Sequence, residues 1–198
     1  PEDAQLREFI AFDPEQNFPS PSFVRQIENQ NLHALNIPEL TIITPAALQT
    51  EAERVAQLHR EEGLTVAVIE QEKIFNEFSS GAPDASAYRR LMKMFYDRAE
   101  GNENVRPRYL LLFGDGSYNN RKSMEKLHSP ECNMLLTYQS KTSIDERESF
   151  VIEDYFGFLE DNSGEEIKVD KVCLGIGRFP ISSIKNARLV VDKLYRYV

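Results

Sequence analysis

The sequence predicts a three-layer α/β fold, in which a mostly parallel β-sheet carries helices on both faces. The first indication is the run Tyr109–Phe113, which lacks polar alternation and is therefore typical of a strand buried on both faces. The second is the order strand, helix, strand across residues 39–70, because short links in that order form a right-handed parallel crossover. The third is a helical apolar pattern over residues 84–99, which lies between two predicted strands.

The crossover begins with a β-branched strand at residues 39–44. Thr44 is predicted to cap the following helix, with Pro45 in its first turn, and Gly63 to end it. One face of this helix carries Leu48, Ala52, Val55 and His59. Because His59 completes an apolar stripe, we interpret it as a packing residue rather than a catalytic one. The next strand is predicted at residues 64–70.

A second helix is predicted after a connection at residues 71–83, with Asp84 as its cap. Its apolar face consists of Tyr88, Leu91, Met92, Phe95 and Ala99. The basic residues on its other faces are predicted to be solvated: Arg89, Arg90 and Lys93.

The remaining pattern is more irregular. Residues 117–131 are predicted to form a surface loop. Further strands are predicted at residues 132–138, 150–159 and 171–177. Ser182 or Ser183 is predicted to cap a final helix, whose inward residues are Ile184, Ala187, Val191 and Leu194. Residues 1–37 are expected to be a linker or the tail of a preceding domain, and residues 38–198 one α/β unit.

Composition narrows the class of protein. The 198 residues carry a net charge of −9, which argues against nucleic acid or an anionic membrane surface as the main partner. No apolar run approaches the ~18–20 residues of a transmembrane span. The two cysteines, Cys132 and Cys173, could pair, although a small buried thiol is the commoner state in such apolar segments. CxxC and HExxH motifs are absent, so the sequence does not indicate zinc.

Asp115 is the main candidate for a functional residue. It follows the Tyr109–Phe113 strand between two glycines, and ligands of open α/β sheets gather at the carboxyl ends of strands. The alternative is that Asp115 only caps the turn. Calcium is a possible ligand if Asp115, Asp154 and the acidic turn at residues 160–166 meet at one rim of the sheet. That turn could equally be a solvated acidic loop.

Two other kinds of site have weaker support. The string GDGSYN matches neither phosphate-binding glycine motif, and no obvious helix follows it, which disfavours a nucleotide site. His128 lies four residues before Cys132, but Pro130 intervenes, and catalytic Cys–His pairs usually assemble from separate strand ends.

A family resemblance covers the chain from about Asn29 to its end. It is carried in order by NLHAL, NEFSSGAPDASAYRRLMKMFYDR, RYLLLFGDGSYNN, DYFGFLED and GIGRFP, and then by VDKLYRY. Together these strings resemble the gingipain-like cysteine peptidases, and within them the sortases of the type IX secretion system. The resemblance implies a caspase-like peptidase domain of two similar α/β halves, of which residues 38–198 would be the first.

The resemblance also implies a function for the parent polypeptide. Such sortases act at the outer surface of gram-negative bacteria and remove C-terminal sorting domains from secreted cargo. The implied partners are the second half of the same polypeptide, cargo proteins and other secretion components, and no organic cofactor is implied. The rival hypothesis is a non-enzymatic secretion or interaction module with a degenerate peptidase fold.

No catalytic residue can be transferred from the family to this chain. The family's catalytic pair is a His followed by Gly and a Cys, both in the second half, and none of His33, His59 and His128 is followed by Gly. We therefore expect this chain alone to be inactive. The family also binds calcium in the first half, which makes Asp115 and Asp161 the candidate metal ligands. A further ligand would fall near Cys173, a poor ligand for a hard cation.

Overall fold

A computed structural model describes residues 9–15, 18, 20, 22–23, 26–125, 127, 132–140, 142, 144–166 and 168–197. Within these residues, the strands are β1 (Leu40–Thr44), β2 (Val66–Glu70), β3 (Tyr109–Phe113) and β4 (Gly175–Phe179). The helices are α1 (Gln49–Glu61), α2 (Gln71–Phe78), α3 (Ser86–Arg98), α4 (Asn120–Glu125) and α5 (Ile184–Leu194). Short 3₁₀ turns lie at Leu32–Ala34, Ala46–Leu48 and Asp154–Gly157.

All strand pairs of this sheet are parallel, in the order β2-β1-β3-β4. Leu40 pairs with Val66 on one side and with Tyr109 on the other, and Tyr109 pairs with Gly175. The carboxyl ends of the strands therefore meet at one edge of the sheet, where function is usually placed in such folds.

Alternating side chains of the sheet fill two cores. Leu110 and Leu112 of β3 lie in the core beneath α2 and α3, whereas Phe113 lies in the core beneath α1 and α5. The first core also buries Phe75, Tyr88, Leu91, Met92 and Phe95, and the second buries Ile42, Val55, Ala187 and Val191. Full burial of one such large side chain stabilises the fold by roughly 1.5–3 kcal/mol. The predicted three-layer α/β fold is thus confirmed.

The predicted connection at residues 71–83 is wrong for its first part. α2 starts at Gln71, directly after β2, and buries Ile74 and Phe75. Ile74, Phe75 and Phe78 have helical spacing, but no glycine or proline separates them from the strand, so the change of element has no sequence signal.

Two predicted strands are also wrong. Residues 132–138 and 150–159 make only isolated bridges, Asp115 to Met134 and Gln139 to Val151. Leu135 and Leu136 are buried without forming a ladder, because their segment packs across the end of the sheet. Burial of apolar side chains therefore gave these segments the sequence pattern of strands, although their backbone groups make only isolated bridges and no ladder. β4 starts later than predicted, because the Cys173 N–H donates to the carbonyl of Gly157 instead of to β3.

Helix starts were partly predictable. The Ser183 hydroxyl caps α5 by accepting from the Asn186 N–H at 3.2 Å, and Asp84 accepts from the Ser86 N–H at 2.8 Å before α3. The predicted cap at Thr44 is wrong, because its hydroxyl donates to the carbonyl of Phe113 at 3.2 Å. The predicted loop at residues 117–131 contains α4, and no helix in the described residues is long and apolar enough to cross a membrane.

Candidate functional site at the carboxyl edge of the sheet

The turn after β3 is pressed against residues 133–137. A Cβ added at Gly114 would lie 3.0 Å from the carbonyl oxygen of Asn133, and one added at Gly116 would lie 2.9 Å from the Thr137 methyl group. The Asp115 N–H donates to Asn133 O, and the Leu135 N–H to Asp115 O, each at 2.8 Å. The two glycines therefore permit a close backbone approach that any side chain would obstruct.

Asp115 acts as a cap of its own turn. Its carboxylate accepts from the Gly116 N–H at 2.8 Å, and the Gly114 N–H donates to Phe179 O at 3.2 Å. Since the Asp115 N–H is also bonded, three consecutive amides are occupied. This arrangement leaves them unable to form the phosphate-binding nest that a nucleotide site would need.

Arg178 of β4 fixes this turn from the neighbouring strand. Its guanidinium donates to the carbonyls of Gly114 at 3.3 Å and Asp115 at 3.1 Å, and its Nη2 donates to the carbonyl of Leu136 at 3.2 Å. It also holds Glu153 in a two-point contact, with Nε to Oε1 at 2.8 Å and Nη2 to Oε2 at 3.1 Å. The Arg178 side chain is only 12% exposed. A bidentate, mostly buried pair of this kind has strong directional hydrogen bonds.

Arg178 and Glu153 were not predicted from the sequence as site residues. The available signal was an arginine inside the apolar string GIGRF, since a charge in a strand interior requires a partner. Its partner lies 25 residues earlier in a segment that was predicted to be a strand, so no local spacing identifies it.

A second network ties residues 133–137 to the body of the fold. Tyr88 donates to Gln71 Oε1 at 2.7 Å, and Gln71 donates to the carbonyl of Met134 at 2.9 Å. The Leu136 N–H donates to the Tyr88 hydroxyl at 3.3 Å. Burial raises the pKa of the Tyr88 phenol, so this group is a neutral structural link. The carboxyl edge is therefore held rigidly by α2, α3 and β4.

Asp161 lies elsewhere, on the outer side of α3. Its carboxylate contacts Lys93 Nζ at 2.8 Å and is 89% exposed, and the hydrogen bond from Lys93 lowers the pKa of Asp161. Asp161 is thus paired with α3, whereas Asp115 bonds to its own turn. Among the described residues, no group of three or more His, Cys, Asp or Glu side chains is placed to hold a metal ion. Calcium binding itself stays a prediction.

Arg89 organises the acidic turn and is not the solvated residue that was predicted. Its Nε donates to Phe158 O at 2.7 Å and its Nη2 to Ser163 O at 2.6 Å, while the guanidinium lies 5.4 Å from the centre of the Tyr155 ring. Gly164 has φ +96°, and a Cβ there would lie 2.9 Å from the Arg89 guanidinium carbon. The turn is thus a structured loop held by a cation. Arg90, with a half-exposed side chain, is on the surface as predicted.

The histidines and thiols have separate surroundings. His59 lies on α1 and contacts Glu62 Oε2 at 2.8 Å, and His33 contacts Glu77 Oε2 at 2.7 Å. His128, the other member of the His128–Cys132 alternative, lies outside the described residues. Both cysteines are free thiols, Cys132 buried and Cys173 half-buried.

Comparison with known proteins gives the family. The model of peptidase family C25 matches residues 33–198. A crystal structure of dimeric latent PorU from Porphyromonas gingivalis is 44% identical and superposes with a TM-score of 0.76, covering 86% of this chain and 16% of that one. A structure described as a protease superposes with a TM-score of 0.54 at 13% identity, covering 80% of this chain and 27% of that one, which shows a shared fold alone.

No curated protein matches the sequence. The chain spans about a sixth of the PorU chain that it resembles, since 16% of that chain is covered. The family match nevertheless covers most of the 198 residues, and the parallel sheet with its rigid carboxyl edge agrees with it. The chain therefore belongs to peptidase family C25, the gingipain family of cysteine peptidases.

Proposed function

We propose that this chain is the supporting half of a cysteine peptidase whose catalytic His and Cys belong to a second α/β half of the same polypeptide. The observation that carries the proposal is the turn at residues 114–116. Arg178 and the segment 133–137 hold it rigidly at the edge of the sheet where ligands of such folds bind. The role of this half is to support the catalytic half and to form one wall of the substrate cleft.

The free side of β4 supports a second half. β4 is an edge strand of the described sheet, and an apolar hollow of about 520 Å³ lies beside it. Tyr109, Leu111 and Phe179 line the hollow, and the Tyr109 side chain is 40% exposed. Exposed sheet edges and apolar hollows are normally covered in a stable protein. A following half that packs here would cover both.

We further propose that the parent is a sortase of the type IX secretion system. The support is the 44% identity with PorU over 86% of this chain. The parent would remove C-terminal sorting domains from secreted cargo at the outer membrane surface of a gram-negative bacterium. Its partners would then be cargo proteins and other secretion components.

Peptide cleavage tests both levels of the proposal. The substrate is a peptide that spans the junction between a cargo protein and its sorting domain. The polypeptide that contains this chain and the following half should cleave it, and a thiol-alkylating reagent should abolish the activity, whereas the 198-residue chain alone should not cleave.

Three outcomes would each contradict part of the proposal. Cleavage by the chain alone, lost on Cys132→Ser, would place the nucleophile here. A longer polypeptide that binds the sorting domain without cleaving any peptide would instead identify a non-enzymatic secretion module. Cleavage of general peptides but not of the junction would keep the peptidase and remove the sortase role.

A further inference from the structure

Residues 30–35 form a strap that lies across two helices. Leu32 of the strap is 8% exposed and packs into the core beneath α2 and α3. Arg98, at the end of α3, donates to the carbonyl of His33 at 2.7 Å and to that of Leu35 at 3.3 Å. The strap therefore docks on α2 and α3 through these contacts.

One carboxylate carries most of the docking. Glu77 Oε1 accepts from the Leu32 N–H and from Gln30 Nε2, each at 2.8 Å. Glu77 Oε2 contacts the Leu32 N–H at 2.9 Å, the His33 N–H at 3.3 Å and His33 Nδ1 at 2.7 Å. The Glu77 side chain is 15% exposed. Losing it would leave several donors of the strap without their acceptor, which costs more than a single neutral hydrogen bond.

Glu77 also replaces a local cap. The strap contains the 3₁₀ turn Leu32–Ala34, and Asn31 before it makes no side-chain capping bond. The first N–H groups of that turn point at Glu77 instead. Because the cap comes from α2, the Leu32 and His33 N–H groups of the turn depend on docking for their hydrogen bonds.

Further contacts around Glu77 also attach the strap to α2. The His33 ring stacks on Phe78, with centroids 4.7 Å apart and planes 13° from parallel. Gln30 Nε2 also donates to Lys73 O at 2.8 Å, and Asn76 donates to Gln30 Oε1 at 3.2 Å. These contacts join the strap to α2, so they can break together without disturbing a strand pair.

We propose that Glu77 is the clasp of a detachable strap, which stays closed on α2 and α3 while the carboxylate is charged and opens as a unit when it is neutralised. Opening of the strap would also release the residues that precede it. Large apolar side chains are exposed there: Phe9, Ile10, Phe12, Phe18, Phe23 and Ile27. The clasp thus controls whether residues 30–35 stay on α2 and α3.

The charges around the clasp set its pH dependence. Burial raises the pKa of Glu77, but the hydrogen bonds from Leu32, Gln30 and His33 outweigh it and hold the pKa below its ordinary value of 4.5. The basic groups nearby are His33 on the strap, Arg98 on α3 and Lys73 on α2. His33 contacts the Glu77 carboxylate, Arg98 bonds the His33 carbonyl, and Lys73 lies one turn before Glu77. Stabilisation by the Glu77 contacts is therefore fully present above pH 4.5, the ordinary pKa of the carboxyl group. It is lost as pH falls through the lower pKa that Glu77 has in the folded chain.

Hydrogen exchange of the intact chain, read by mass spectrometry, tests the proposal. Glu77→Gln should speed exchange of the strap amides about tenfold or more, while β3 stays unchanged. Glu62→Gln is the matched control, because Glu62 also contacts a histidine, His59, at 2.8 Å but lies away from the strap. It should leave the strap unchanged.

A pH series supplies the second readout. After correction for intrinsic exchange, the wild-type strap should keep its protection down to about pH 5 and lose it between there and about pH 3, and Glu77→Gln should show no such step. An unchanged strap in Glu77→Gln, or equal acceleration of the strap and β3, would overturn the proposal. If Glu77→Gln does not fold, the wild-type series decides, and a strap that keeps its protection through this range would also overturn it.

Discussion

At the scale of single residues, a few side chains fix the backbone geometry of the carboxyl edge. Arg178 contacts three carbonyls and the Glu153 carboxylate, so it joins β3, β4 and residues 136 and 153 at one point. Asp115, the most prominent residue of the sequence, has the modest role of bonding the Gly116 N–H. The positions of the turn atoms are therefore set by partners that are distant in sequence.

Removing Arg178 should be costly. Arg178→Met should lower the free energy of unfolding by about 3 kcal/mol, because it removes the donor to the Glu153 carboxylate and to the Gly114 and Leu136 carbonyls, while the Asp115 carbonyl keeps its bond from the Leu135 N–H. Urea unfolding measures the change. Arg106→Met is the control, since Arg106 makes one exposed contact with Glu103 at 3.4 Å, and it should cost less than about 1 kcal/mol. Equal effects of the two substitutions would contradict a central role for Arg178.

Calcium tests Asp115 directly. If Asp115 takes part in a calcium site, excess calcium should raise the melting temperature and a chelator should lower it, because a ligand that binds the native state stabilises it. Asp115→Asn should then abolish the shift, whereas Asp161→Asn should not, because the Asp161 carboxylate is paired with Lys93. If neither calcium nor the chelator changes the melting temperature, the calcium prediction is wrong and Asp115 is only a turn cap.

At the scale of elements, the turn after β3 is defined by its close packing. Gly116→Ala should destabilise the chain by about 1–3 kcal/mol, because the new methyl would lie 2.9 Å from Thr137 Cγ2 and 3.3 Å from Arg178 Cζ. Gly177→Ala on β4 is the matched control, since its Cβ would meet nothing within 4 Å. Thermal unfolding should show a clear loss for the first substitution and almost none for the second. Similar losses would indicate that close packing is not the constraint.

The elements also show what a sequence can predict. The buried faces of α1 and α3 followed from helical spacing, and β1 to β3 from apolar runs near their observed positions. On α5, Ala187 and Val191 are buried as predicted, but Ile184 was predicted to face inward and is 39% exposed. Residues 132–138 were misassigned because burial was taken as a sign of a ladder. The Arg178–Glu153 pair was missed because it forms only when residues 25 positions apart meet in the folded chain.

At the scale of the whole molecule, the chain combines a complete α/β core with an exposed sheet edge. Helices cover both faces of the sheet, whereas the outer side of β4 and the neighbouring apolar hollow lack a cover among the described residues. The chain belongs to peptidase family C25 and matches only 16% of the PorU chain. Both findings agree with the proposed supporting role inside a larger protein.

The most direct test of this account is the sequence of the parent polypeptide beyond residue 198, read over roughly one more domain length. The account predicts a second α/β half with one strand that ends in His-Gly and another that ends in Cys. A second half without this pair would keep the fold but contradict the peptidase, and the chain would then belong to an interaction module of peptidase ancestry.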